Sequence, residues 1–337
     1  MDHSHRPSSI VHRQQFMNTS VVIPSYKRQA ALLQTLQSLQ EQTTTNFDIW
    51  VADNAADENT RGAIETFNKT AKVPANYLPE PRLGVHYARN TASKAAPGEL
   101  QLFTDDDMTF VPGWVKAYQD AFTQNPEIAA AGGPIHIKYE VTPPKWFTDF
   151  LATKAVNPFG YLDLQKPLFV SERGIFHSGN MAIRKSVLMA RGGFHPEATG
   201  NIWVGDGETG LNHAMWRAGD KIAYAPDALN YHHIPDFRMT VNYLKRRQAN
   251  EGAALAYNAF HRKNLSNAQL LRYSAKLAAR FPRHVLGGWL YDGRTDTRSL
   301  LIQLRTAEVR AQIDYAFKMM RDPKFRELVN REDWIAE

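Results

Sequence analysis

The sequence predicts an α/β protein, with a mostly parallel central sheet carrying helices on both faces and a helical extension at the C-terminus. Three observations carry that prediction. Between Val21 and Met108, short apolar or β-branched runs alternate with stretches of helical periodicity, the pattern of parallel strands joined by crossover helices. The loops after those runs hold Pro24, Asp53 and Asp105, so functional side chains gather on one rim of the sheet, where open α/β sheets keep their ligands. The third is a buried-strand signature, Leu100-Gln101-Leu102-Phe103-Thr104, that ends abruptly in three carboxylates: Asp105, Asp106 and Asp107.

Taken in order, Ser20-Val21-Val22-Ile23-Pro24 is a β-branched run closed by proline, hence a strand ending at a loop. Leu32, Leu33, Leu36 and Leu39 then recur at helical spacing. Ile49-Trp50-Val51-Ala52 is a second strand ending in Asp53-Asn54, followed by a helix over 61–67 and a weak strand at Tyr77-Leu78. A loop with Gly84 and a helix over 88–94 lead into the acidic triplet. After it, Trp114, Val115, Tyr118 and Phe122 share one helix face and read as core. Residues 136–176 read as a long irregular stretch containing Pro143-Pro144-Lys145-Trp146-Phe147, and loops of that length inside an enzyme are usually functional. His177-Ser178-Gly179-Asn180-Met181 precedes a basic strand end at Arg184-Lys185. Gly205-Asp206-Gly207-Glu208 opens a helix with Leu211, Met215 and Ala218, closed by Gly219. Tyr231-His232-His233-Ile234-Pro235 ends the next strand, and from Met239 onward the chain is helical and rich in Lys and Arg.

The 337 residues are 43% hydrophobic and 22% charged, an ordinary globular balance. With no cysteine, disulfides and thiolate zinc sites are excluded. No apolar stretch approaches the roughly 18 to 20 residues that span a bilayer. Residues 1–18 are polar, with His3, His5 and His12, and are expected to form a disordered tail without a signal peptide, which points to a cytoplasmic protein. A net charge of +6 favours anionic partners. Aromatic and basic residues are not interleaved as in a nucleic-acid module, so nucleic acid is not expected among them. Dinucleotide and P-loop fingerprints are both absent.

Three adjacent carboxylates repel one another, and the usual offset is a hard divalent cation with oxygen ligands, Mg²⁺ or Mn²⁺. The alternative is a solvated acidic turn before the helix that follows Pro112.

In their order and spacing, these landmarks resemble the family-2 glycosyltransferases of the GT-A fold, a Rossmann-like architecture, over about residues 21–247. The resemblance lies in Val21-Val22-Ile23-Pro24-Ser25-Tyr26, Asp53-Asn54, Arg82-Leu83-Gly84 with Ala88-Arg89-Asn90, Phe103-Thr104-Asp105-Asp106-Asp107, Gly179-Asn180-Met181-Ala182-Ile183-Arg184 with Gly192-Gly193-Phe194, and His232. It implies a nucleotide-sugar site of Pro24, Tyr26, Arg28, Asp53, Arg82, Gly84, Arg89, Asp105 and Asp106. Asp53 would meet the nucleobase, and Arg89 would pair a phosphate or brace an aspartate. Asp107, Asp105 and His232 would hold Mn²⁺ or Mg²⁺, with His233 a rival to His232. Trp146, Gly179 and Asn180 would face the acceptor or sugar. The family commonly places Glu-Asp before its catalytic helix. Here Glu208 falls in that register, counted back from Arg217-Ala218-Gly219, and Asp206 is the second candidate base.

The implied function is inverting transfer of a sugar from a UDP- or TDP-sugar to a hydroxyl of a glycan or lipid-linked acceptor. A metal-dependent nucleotidyltransferase and an inactive glycan-binding protein of the same fold are the rival readings. The implied division is a catalytic region over 19–237, its nucleotide part 19–108 and its acceptor part 109–237, and a basic helical region over 238–337. In the latter, Leu270, Leu271, Tyr273, Leu277 and Phe281 lie among Arg272, Lys276, Arg280 and Arg283. Such a helix can pack on the catalytic region or lie peripherally on the inner face of an anionic membrane.

Overall fold

The computed structural model describes residues 17–171, 176–195, 198–199 and 202–336; of the expected N-terminal tail only Met17 and Asn18 fall among them. Strands β1 (Thr19–Ser25), β2 (Asp48–Asp53) and β3 (Ala75–Pro79) are joined by helices α1 (Gln29–Leu39) and α2 (Glu58–Asn68), and α3 (Val85–Ala95) crosses to β4 (Leu100–Thr104). These four strands pair in parallel in the order β3-β2-β1-β4. Because side chains alternate along a buried strand, Val21 and Ile23 enter one core with Leu36, Leu102 and Trp114, while Val22 enters the opposite core with Ala88, Phe103 and Phe194. That two-sided burial is why the strand reads as an unbroken apolar run.

The chain continues through β5 (Met108–Phe110), α4 (Trp114–Gln124), β6 (Ile128–Gly132), β7 (Ile135–Tyr139), α5 (Lys145–Ala152) and β8 (Phe169–Ser171). Then come β9 (Asn180–Arg184), α6 (Lys185–Ala190), β10 (Ala198–Thr199), β11 (Ile202–Trp203), α7 (Glu208–Ala218), β12 (Lys221–Tyr224) and β13 (Asn230–Ile234). The main sheet extends as β4-β9-β6-β12-β8, with β9 antiparallel to both neighbours and β8 an antiparallel edge. A second sheet, β5-β13-β7, stands beside it.

The stretch over 136–176 is less irregular than its sequence suggests. It contains most of β7, all of α5 and β8, and Phe147 and Phe150 of α5 are buried at i, i+3 spacing against Ile234 and Leu244. Two prolines before an eight-residue helix disguise the period, since too few turns follow to display it.

Beyond a 3₁₀ turn at Asp236–Arg238, the C-terminal region comprises α8 (Val241–Phe260), α9 (Asn267–Arg280), α10 (Pro282–Leu286), a second 3₁₀ turn at Gly288–Tyr291, α11 (Thr297–Arg321) and α12 (Pro323–Asn330). Its apolar faces join Val204 in one cluster, through Tyr257, Phe260 and Tyr315, and Phe147 and Ile234 in another, through Leu244 and Leu304. The last residues return to the α/β region. The amides of Trp334 and Ile335 both donate to the Gly192 carbonyl, and Asn90 Nδ2 donates to the Trp334 carbonyl. Among the described residues no helix is long and apolar enough to cross a membrane.

Candidate active site

The acidic triplet occupies the turn between β4 and β5. Helix α1 fixes that turn from below: Thr35 Oγ1 accepts from the Met108 amide (3.2 Å) and Ser38 Oγ from the Phe110 amide (2.9 Å). Successive side chains then diverge. Asp105 is 30% exposed and its Oδ1 accepts from Arg89 Nη2 on α3 at 2.8 Å. Asp106 points back into the protein, fully buried, against Ser25 Oγ (2.8 Å) and the Arg28 guanidinium. Asp107 Oδ2 accepts from Arg28 Nη1 (2.7 Å) and Arg238 Nη2 (2.8 Å), whereas its Oδ1 is buried with no hydrogen-bond partner. Burial raises the Asp106 carboxyl against the pull of Arg28. Burial would raise Asp107 too, but the guanidiniums of Arg28 and Arg238 pull the other way and hold that carboxyl below the usual range.

Strand β13 delivers His232 to this cluster by pairing antiparallel with β5, His232 opposite Met108, while the His233 amide donates to the Asp107 carbonyl at 2.9 Å. Alternation along β13 separates the two histidines. His233 turns to Thr109 Oγ1 (2.9 Å) and is buried; His232 faces the site, with Nε2 3.6 Å from Asp107 Oδ2. His232 Nδ1 lies 2.9 Å from the Phe159 carbonyl, which can only accept, so Nδ1 carries the proton and Nε2 presents a lone pair. This is the orientation metal-ligating histidines adopt. Together with the orphaned Asp107 Oδ1 and the partly open Asp105, it supplies donor types suited to Mn²⁺ or Mg²⁺, although among the described residues no three His, Asp or Glu side chains stand close enough to hold an ion as they are placed.

These groups line a cleft of about 290 Å³ that Glu208, the first residue of α7, also lines. Ser178 Oγ donates to Glu208 Oε2 at 3.2 Å, and His177 Nδ1 lies 3.5 Å from Oε1. Burial would raise this carboxyl, but His177 and then Arg89 outweigh it and bring it down to about 2. Asp206, two residues earlier, does not reach the cleft. It is buried beneath α8 and α11 with neither oxygen hydrogen-bonded, 3.8 Å from His195 Nδ1 and facing Tyr257 and Tyr315. Burial, reinforced by the charge of Glu208, pushes it up to about 7. Gly207 separates the two at φ 58°, ψ −127°, a conformation that a side chain rarely adopts and that turns the chain between them.

The structure thus brings Arg28, Arg89, Asp105, Asp107, Glu208 and His232 to one cleft, with Gly179 on its floor. A Cβ at Gly179 would stand 2.8 Å from the Met108 methyl and 3.2 Å from Asp105 Oδ2. Other residues of the expected site lie elsewhere. Asn180 is buried and fully bonded: it accepts from Trp114 and Tyr118 and donates to the carbonyls of Pro134 and Ala228, bracing the loops behind the cleft. Asp53 is buried, accepting from the amides of Ala55 and Asp57 and from Tyr77 Oη, so a nucleobase would reach it only if this loop opened. Arg82 is paired with Glu80 and stacked on Tyr87. Gly84 caps α3, its amide on Asn54 Oδ1 (2.8 Å), where a Cβ would meet the Ala198 carbonyl. Pro24 is buried and Tyr26 exposed at the end of β1, and Trp146 packs beside Phe147 on α5, none of them in the cleft.

Three residues of the cleft, His177, Arg238 and Arg247, escape a sequence reading of the site. His177 had a signal, two residues before Gly179. Arg238 and Arg247 had none, because they belong to the basic helical region that the sequence assigns to packing on the catalytic region or to a membrane surface.

A family profile described as Glycosyl transferase family 2 matches residues 20–192. Among curated proteins, the chain is 32% identical over 110 residues to an uncharacterized glycosyltransferase of Haemophilus influenzae, covering 32% of this chain and 36% of that one. It is 23% identical over 241 residues to the succinoglycan biosynthesis protein ExoM of Rhizobium meliloti, covering 70% and 73%. It is 22% identical over 242 residues to the glucosyl-dolichyl phosphate glucuronosyltransferase of Haloferax volcanii, covering 70% and 75%.

Proposed function

We propose that this chain, which belongs to glycosyl transferase family 2 and is a glycosyltransferase, moves a sugar with inversion from a UDP- or TDP-sugar to a hydroxyl of a glycan or lipid-linked acceptor. The observation that carries this reading is the convergence on one cleft of Asp105, Asp107 and His232, candidates to hold a cation, with the Glu208 carboxylate.

Asp107 and His232, with Asp105 beside them, would hold Mn²⁺ or Mg²⁺, which when bound supplies positive charge for the departing nucleoside diphosphate. Arg89 keeps Asp105 turned toward the cleft. Glu208 takes the proton of the acceptor hydroxyl as its oxygen bonds to the anomeric carbon and the bond from that carbon to the diphosphate oxygen breaks. His177 and Ser178 hold the Glu208 carboxylate in position, and the N-terminus of α7 adds favourable partial charge. An adjoining cavity of about 380 Å³ shares Pro158, His177 and Arg247 with the cleft and runs between α8 and the loop before Phe159, a place for an acceptor on the side of the base.

A lipid-linked acceptor agrees with the glucosyl-dolichyl phosphate named for the Haloferax relative and with the surface of the C-terminal region. Leu286, Trp289 and Leu290 are 78%, 60% and 56% exposed. Exposed Arg280, Arg283, Arg294 and Arg298 surround them in sequence. This combination suits peripheral attachment to an anionic membrane, which we assign to the cytoplasmic face.

A panel of nucleotide sugars with Mn²⁺, read by release of nucleoside diphosphate, tests the activity. Turnover that yields pyrophosphate instead would refute it. Glu208→Gln is expected to reduce transfer at least about a hundredfold, the size of a general-base effect, with donor affinity nearly unchanged. An Asp206→Asn variant that lost more activity than Glu208→Gln would move the base to Asp206.

A further inference from the structure

Each carboxylate of the acidic triplet already has a guanidinium partner from a different part of the chain: Arg89 on Asp105, Arg28 on Asp106 and Asp107, and Arg238 on Asp107. Three acidic and three basic side chains leave the cluster near neutral. A divalent ion entering alone would therefore meet little net attraction.

Arg238 occupies the most consequential position. It ends the 3₁₀ turn at Asp236–Arg238 that links β13 to α8, and its side chain turns inward, 13% exposed. Its Nη2 donates to Asp107 Oδ2 at 2.8 Å and its Nη1 to His232 Nε2 at 2.9 Å. A guanidinium has no lone pair to offer, so this contact confirms that His232 Nε2 is an acceptor. It also fills the one lone pair that ring has for a cation. Arg238 and a metal ion cannot both hold it.

We infer that Arg238 is an internal counter-ion that occupies the metal position until the donor arrives. This rests on the reading of Asp107 and His232 as metal ligands. A divalent ion must displace the guanidinium, and the displaced guanidinium needs a new anion. The diphosphate of the donor supplies that anion, and Arg238 lines the same cleft, placed to meet it by rotating its side chain. Metal and nucleotide therefore bind together far better than either binds alone, a positive coupling that must be reciprocal.

Mn²⁺ binding to the full chain, followed by electron paramagnetic resonance with and without UDP, tests this without any turnover. Arg238→Gln is expected to bind Mn²⁺ alone at least about tenfold more tightly than wild type, and UDP is expected to raise Mn²⁺ affinity less in the variant. Arg238→Lys, which keeps one charge but cannot bridge both acceptors, should fall between the two. His232→Ala separates the premise from the inference. If His232→Ala leaves Mn²⁺ binding unchanged, the ligand reading fails. If His232→Ala weakens it while a folded Arg238→Gln binds Mn²⁺ no more tightly than wild type, the counter-ion role is refuted.

Discussion

At the scale of the residue, Asp206 and Glu208 show how two carboxylates on one short segment acquire opposite properties. Glu208 has a histidine, a hydroxyl and a buried arginine around it, which outweigh burial and keep it ionised at any pH near neutral. Asp206 has burial, tyrosine rings and a neutral His195, whose own pKa burial and neighbouring cations depress to about 3. The folded-state pKa of Asp206 lies near 7, above its ordinary 3.8, so the native protein binds this proton more tightly than the unfolded chain does. Its contribution is favourable below about pH 4 and is lost as pH rises to about 7. Asp206→Asn removes that titration. Thermal or urea unfolding at pH 8 is expected to show the variant more stable by on the order of 1 to 3 kcal/mol, with little difference at pH 4. A wild type more stable than the variant at pH 8 would contradict this placement of the side chain.

At the scale of the element, β13 positions the histidines. Its pairing with β5 sets His232 beside Asp107, and the two-residue period of a strand sends His233 to Thr109 on the other face. The sequence offers these neighbours as near equals; the register decides between them. His232→Ala is expected to abolish the enhancement of UDP binding by Mn²⁺ while leaving the unfolding temperature close to wild type. His233→Ala should do the reverse, costing about 1 kcal/mol of stability through the lost Thr109 hydrogen bond, with metal-assisted binding retained. Isothermal titration and thermal melts of the two variants measure both effects. Helix α5 teaches a related lesson, since Trp146 reads as a loop residue by its prolines but belongs to a helix whose buried face holds Phe147 and Phe150.

At the scale of the whole molecule, the C-terminal helices serve two surfaces. Inward, they cover Val204, Asp206 and Ile234 and lend Arg238, Tyr243 and Arg247 to the cleft. Outward, the turn from α10 toward α11 displays Leu286, Trp289 and Leu290 among arginines, held on α11 by Gly288 against Thr306 and tied to α8 by the ion pair of Lys245 with Asp292. Helix α9, which the sequence offered either to packing on the catalytic region or to a membrane surface, buries Leu270 toward Tyr315 and exposes Leu271. Flotation with vesicles containing phosphatidylserine at low salt is expected to carry the wild type upward. Replacing Leu286, Trp289 and Leu290 together by Ser should reduce binding at least about tenfold without lowering the unfolding temperature. Absence of wild-type binding removes the membrane role, and so does a triple variant that floats as well as wild type.

The sequence by itself determined that the first four strands are parallel and joined by helices, the acidic triplet at the rim of their sheet, the helix opened by Gly207 and closed by Gly219, and the family resemblance. All of these are local: strand periodicity, a run of like charges, and glycines at positive φ are written in adjacent residues. It did not determine the antiparallel insertion of β9, which of His232 and His233 faces the cleft, or that Asp53, Asp106 and Asn180 are buried and bonded away from it. Nor could it place Arg238 on Asp107, 131 residues earlier in the chain, or turn Asp206 under α8 and α11 while leaving Glu208 in the cleft. Those outcomes depend on which strands pair and which surfaces bury one another. A side chain's partner and its charge state are properties of the space around it, and only the tertiary structure decides what fills that space.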